Sequence, residues 1–180
     1  MTNPSITSVR KVSVLGTGTM GSPIARNIAK GGFSVHVWNR TRERAEQLAD
    51  FGITIADSAA DAVRDADVIV TMLTDGDAVL KTMEAAAPGL RPGAIWAQMS
   101  TVGADPIPSL VRTADQHQLF FVDAPVQGSR QPAELGQLVV VAAAPSEVRP
   151  LIDPVFRTLG KRTVWVGETK QRAKLDCTRI

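Results

Sequence analysis

The chain has 180 residues, 44% of them hydrophobic and 4% aromatic, with a net charge of +2 spread along its length. That length suits one ordinary domain, and so even a charge indicates no nucleic-acid-binding surface. A single cysteine excludes an internal disulfide, and two distant histidines (His36 and His117) offer no metal-ligand spacing, so no metal is expected and both histidines read as structural. The polar residues 1–10 lack the apolar stretch of a signal peptide, and no apolar run is long enough to span a bilayer. A soluble cytoplasmic protein is therefore expected, with no membrane partner.

Lys11–Leu15 (KVSVL) reads as a buried central strand. It runs into Gly16-Thr17-Gly18-Thr19-Met20-Gly21, and a helix is expected over residues 23–31. In a GxGxxG turn between strand and helix each glycine has its own task. Gly16 allows the tight exit from the strand, Gly18 lets a pyrophosphate approach the backbone, and Gly21 lets the helix pack close. The free N–H groups and dipole at that helix start favour phosphate. A second strand follows over Ser34–Trp38 and ends at Asn39-Arg40-Thr41-Arg42. Sites for NAD carry Asp or Glu at this strand end, to bond the ribose 2′-OH. A neutral Asn39 beside guanidinium groups suits a 2′-phosphate instead, so the cofactor expected is NADP(H). Thr17, Thr19, Met20 and Thr41 complete the cofactor-binding set of these two turns.

The alternation continues. A helix is expected over 42–50, a short strand over 53–55, and a helix capped by Ser58 through Arg64. Residues 67–73 form a near-continuous apolar strand, as buried parallel strands do. Helices over 77–87 and 106–117 flank a strand over 94–98. Strands over 119–123, 138–143 and 162–166 surround a helix over 147–159. This pattern predicts an α/β Rossmann fold with a doubly wound, mostly parallel sheet, spanning residues 9–167.

Ligands of such sheets bind beyond the carboxyl ends of the strands. Met72-Leu73-Thr74-Asp75, Met99-Ser100-Thr101 and Asp123-Ala124-Pro125-Val126-Gln127-Gly128-Ser129 fall at those ends. Together with the fingerprint from Gly16 to Pro23, these motifs resemble the β-hydroxyacid dehydrogenase family, which includes 3-hydroxyisobutyrate dehydrogenases and tartronate semialdehyde reductases. Its cofactor domain is of the 6-phosphogluconate dehydrogenase type. The stretch from Arg130 to Leu138 looks most like the glyoxylate/succinic semialdehyde reductase branch.

The resemblance implies an NADP-dependent oxidoreductase that interconverts a small hydroxy acid and its aldehyde or semialdehyde. It assigns Met72, Leu73 and Thr101 to the cofactor, and Ser100, Gln127, Gly128 and Ser129 to the substrate. It implies Lys174 as the catalytic proton donor, because a partly desolvated lysine can protonate a developing alkoxide. Lys170, one turn earlier, is the weaker candidate.

Two departures stand out: Gln127 replaces the family serine, and Thr178 stands where the family has asparagine. Family members also continue into an all-helical domain that closes the cleft and forms a homodimer. Residues 168–180 read as the start of the interdomain helix, and the chain as a cofactor domain cut short. Two alternatives remain. One is a non-catalytic NADP-binding fragment without the substrate and dimerisation domain. The other is an imine reductase, which shares the architecture but usually lacks the lysine.

Overall fold

The structure, a computed structural model, describes residues 8–167. A nine-stranded sheet runs β3 (Thr54–Ile55), β2 (Ser34–Trp38), β1 (Lys11–Leu15), β4 (Val68–Thr71), β5 (Ile95–Gln98), β6 (Phe120–Asp123) and β8 (Leu138–Ala143). Both β7 (Val126–Gln127) and β9 (Gly160–Gly167) pair with β8. Strands β3 to β6 pair parallel in the order 3-2-1-4-5-6. The order reverses between β1 and β4, which opens a crevice at their carboxyl ends. β8 is antiparallel to β6 and β7 and parallel to β9.

Side-chain alternation decides which layer each strand residue joins. Val12, Val14, Val68, Val70, Ile95, Ala97 and Val122 share one core with Ile24, Ala25 and Ile28 of α1 (Gly21–Lys30). The same core holds Ala133 of α6 (Arg130–Glu134) and Ile152, Val155 and Phe156 of α7 (Arg149–Leu159). Leu15, Ile69, Trp96 and Phe121 point the other way. They pack against α3 (Ala59–Val63), α4 (Gly76–Ala86) and α5 (Ile107–Gln116). Trp96 and Phe121 meet edge to face, 5.1 Å between centroids. Each large side chain fully buried here contributes roughly 1.5–3 kcal/mol.

The Ser58 cap forms as expected, its hydroxyl accepting the Asp61 N–H at 3.0 Å. The helix expected over 42–50 is shorter. α2 covers Arg42–Glu46, and a 3₁₀ turn at Ala49–Phe51 leads into Gly52 at φ +70°. Two elements escaped the sequence pattern, β7 and α6. α6 is fastened to α1 by the buried Asn27 Nδ2, which donates to the Ala133 carbonyl at 2.7 Å. Among the described residues no helix is long and apolar enough to cross a membrane, and no His, Cys, Asp or Glu cluster could hold a metal ion.

Candidate functional site

At the switch point lies a cleft of about 540 Å³. Its floor is the glycine loop, where Gly16, Gly18, Thr19, Met20 and Gly21 all reach the surface of the cleft. Two of the glycines are demanded by the protein itself. Gly16 sits at φ +101°, and a Cβ there would stand 2.4 Å from the Met72 carbonyl oxygen. A Cβ on Gly21 would stand 1.9 Å from the Gly16 carbonyl oxygen. Gly18 differs: a Cβ there meets nothing within 4 Å. The protein's own packing leaves that space open, and it faces the start of α1.

The helix start is suited to an anion. Met20 caps α1 without a side-chain bond, and no acidic residue occupies the first turn. The first turn closes through Ser22 N–H to the Gly18 carbonyl at 3.1 Å and Ile24 N–H to Met20 at 3.2 Å. The N–H groups of Thr19 and Met20 find no acceptor among the described residues. Such N–H groups with the positive end of the helix dipole are a phosphate cradle.

The loop is tied to the second strand. Gly16 N–H donates to the Trp38 carbonyl at 2.9 Å, and Thr17 N–H donates to Asn39 Oδ1 at 3.0 Å. Asn39 Nδ2 in turn donates to the Thr41 carbonyl at 2.9 Å. Asn39 thus braces the loop while also lining the cleft. Arg40 and Thr41 line it too. Arg42 does not. Its guanidinium pairs with Asp57 and, at 3.1 Å, with Glu46, away from the cleft.

Arg44, not Arg42, lines the cleft, and Lys81 of α4 lines it too. Residues two apart on a helix face different directions, so Arg42 and Arg44 cannot both turn to the cleft. Arg40, Arg44 and Lys81 line the cleft with no carboxylate among its described lining residues. Ala78, Thr82 and Ala85 of α4 supply a small-residue wall beside Lys81.

At the far end Met72 and Leu73 line the cleft, as expected, and Thr74 joins them. A buried polar network fixes this end. Leu73 N–H donates to Ser100 Oγ at 2.8 Å, and Ser100 Oγ donates to the Thr71 carbonyl at 3.3 Å. Ser100 N–H donates to Gln98 Oε1 at 2.7 Å, while Gln98 Nε2 donates to the Ser100 carbonyl at 2.8 Å. Trp96 Nε1 donates to Thr71 Oγ1 at 3.0 Å. Ser100 is 1% exposed, so its hydroxyl holds the Leu73 backbone in this state.

Thr101, Gln127, Gly128 and Ser129 are exposed, Gln127 within β7 and the others past strand ends, and none lines the cleft. Gly128 has φ +134°, and a Cβ there would stand 2.7 Å from Leu138 Cδ2, so the fold itself requires glycine. Thr17 is buried and faces a different groove. Lys170, Lys174 and Thr178 lie outside the described residues.

Residues 11–167 match the profile of the NAD-binding domain of 6-phosphogluconate dehydrogenase. The chain belongs to that family. It is 33% identical over 168 residues to glyoxylate/succinic semialdehyde reductase 1 of Arabidopsis thaliana, a match covering 92% of this chain and 58% of the relative. A Mycobacterium tuberculosis 3-hydroxyisobutyrate dehydrogenase with L-serine superposes with a TM-score of 0.85 at 25% identity, covering 89% of this chain and 55% of that one. An imine reductase from Myxococcus stipitatus in complex with NADP+ gives 0.82 at 25% identity, covering 91% and 57%. The chain therefore spans little more than half the length of each of these three relatives. It is the dinucleotide-binding, Rossmann part of a family of NAD(P)-dependent oxidoreductases.

Proposed function

We propose that this domain binds NADP(H) and serves an oxidoreductase that interconverts a small hydroxy acid with its aldehyde or semialdehyde. One observation carries the cofactor choice: the cleft offers Arg40, Arg44 and Lys81 where an NAD site would present a carboxylate. The pyrophosphate belongs over Gly18, against the N–H groups of Thr19 and Met20. The 2′-phosphate belongs between Arg40 and Arg44, beside Thr41, with a guanidinium free to stack on the adenine. Met72, Leu73 and Thr101 then flank the nicotinamide end. The cofactor, when bound, supplies the hydride.

The remaining work falls to the protein. Ser100 holds the Leu73 backbone that borders the reacting end, and Gln127, Gly128 and Ser129 form the side from which a substrate carboxylate is held. Lys174 is the proposed proton donor to the alkoxide. A lysine in a partly desolvated site loses its proton more readily, which suits that role. The substrate class follows from the relatives' names, a semialdehyde reductase and a hydroxyisobutyrate dehydrogenase.

Calorimetric titration with NADPH and NADH tests the cofactor reading. Arg40→Ala and Arg44→Ala should each weaken NADPH by about 10–150-fold, one charge-assisted contact of roughly 1.5–3 kcal/mol, and leave NADH nearly unchanged. Equal weakening of both dinucleotides refutes a 2′-phosphate role. A spectrophotometric panel of glyoxylate, succinic semialdehyde and cyclic imines then separates the leading reading from an imine reductase, which the likeness to the Myxococcus stipitatus enzyme keeps in view.

A further inference from the structure

A second groove, about 360 Å³ in volume, lies behind the glycine loop. Gly18 and Thr19 form the partition between it and the cofactor cleft, since both residues line both spaces. On the far side the groove is walled by Arg26 of α1, Arg44 of α2 and Arg130 of α6. The only carboxylate among its described lining residues is Glu134, which pairs with Arg130 at 2.8 Å. Arg26 is held over the Phe51 ring, 5.2 Å from its centroid, so its charge is presented from a fixed platform. Arg44 has no ion-pair partner among the described residues. Thr17 also lines the groove, is 3% exposed, and carries a buried hydroxyl with no hydrogen-bond partner.

Guanidinium groups converging from different helices repel one another and are costly to hold together without an anion between them. We propose that this groove is a second anion site, for a small phosphate-bearing ligand held by Arg26, Arg44 and Arg130. Because Arg44 borders both spaces, it can serve either the groove or the 2′-phosphate. A phosphate in the groove therefore competes for Arg44 and weakens NADPH without weakening NADH. That coupling rests on the cofactor reading above; the binding itself does not. Linkage makes it reciprocal, so NADPH weakens phosphate by the same factor.

The probe is inorganic phosphate, titrated by calorimetry into the full chain without dinucleotide. Saturable binding is expected. Arg26→Gln and Arg130→Gln should each weaken it by about tenfold or more. Glu134→Gln should tighten it, since it removes the groove's one negative charge. In an Arg40→Gln background, where the 2′-phosphate end of the cofactor cleft is weakened, the dependence on Arg26 and Arg130 should persist, because Arg40 does not line the groove. Thermal denaturation should find Arg130→Gln folded as the parent, because its ion pair is a surface one.

The proposal is overturned if phosphate binding is absent, or if it responds to Arg40→Gln and not to Arg26→Gln and Arg130→Gln. Phosphate that binds through Arg26 and Arg130 but leaves NADPH affinity untouched overturns the shared use of Arg44 alone. Should NADPH itself fail to depend on Arg40, the cofactor reading falls while the phosphate result stands independently.

Discussion

Gly18→Ala separates what the fold needs from what a ligand needs. No atom lies within 4 Å of the position its methyl would take, and its φ is outside the left-handed region. The folded protein has no reason to resist the change. The unfolded chain loses freedom, so stability should rise by about 0.4–1 kcal/mol, a gain of at most about 4 °C in Tm for a chain of this size. The bound pyrophosphate meets the methyl directly and is pushed off the Thr19 and Met20 N–H groups. Losing one charge-assisted bond of roughly 1.5–3 kcal/mol raises the NADPH Kd by about 10–150-fold. Gly21→Ala is the opposite case. Its methyl would stand 1.9 Å from the Gly16 carbonyl oxygen, so the loop or α1 must move. That costs about 1–3 kcal/mol or more, read as a fall in Tm. Thermal scanning and calorimetry on both variants make the test. A Gly18→Ala protein that binds NADPH within twofold of the parent refutes the assignment of that open space to pyrophosphate. A Tm loss equal to that of Gly21→Ala refutes the packing argument.

Ser100→Ala leaves the part-buried Leu73 N–H without its acceptor, a loss of about 0.5–1.5 kcal/mol that thermal or urea denaturation measures, while the preference for NADPH over NADH should persist. His36 has its pKa lowered, first by burial and then by the positive charge of Lys11. The folded state therefore resists protonating His36, so its effect is a loss of stability as pH falls through the unfolded value of 6.5, complete below the folded pKa. A His36→Gln variant should show a flatter stability profile on the acid side of pH 6.5 in urea titrations; an unchanged slope would refute the argument. If Lys174 is the proposed proton donor, Lys174→Ala should lower carbonyl reduction by about 10²–10⁴-fold with NADPH affinity unchanged, read as NADPH oxidation.

The nucleotide-binding half was legible because its signals are local. A β-branched strand, a glycine turn, a helix and a second strand each announce themselves within a few residues, and right-handed crossovers fix which face each helix covers once the strand order is known. The strand at 138–143 was legible as a strand, but its direction was not. The connection from β7 through α6 brings the chain back antiparallel, and pairing direction leaves no mark on local alternation. β7 is two residues long, too short to show a period, and α6 carries Pro132 in its middle. The error at Arg42 was one of rotation. Asp57 and Glu46 capture that side chain, and only the placement of α2 shows that Arg44 is the residue turned inward. Lys81 was invisible for the same reason, being one more surface lysine until α4 brings it to the cleft that Arg40 also lines. Ser100 was read as facing a ligand, and what the sequence could not convey was that the Leu73 N–H would claim its oxygen.

The bond from Asn27 to Ala133 reaches across 106 residues, and α7, farther along still, completes the same wall of α1. On a ribosome making roughly 5–20 residues per second, the phosphate-binding helix emerges about 5–20 s before its cover does. For that interval the side of Ile24, Ala25 and Ile28 that α6 and α7 cover in the finished fold is open to water or a chaperone. The most recognisable stretch of this chain is thus among the first made and the last to be sealed, and slowing translation between residues 30 and 130 should raise its dependence on holdase chaperones.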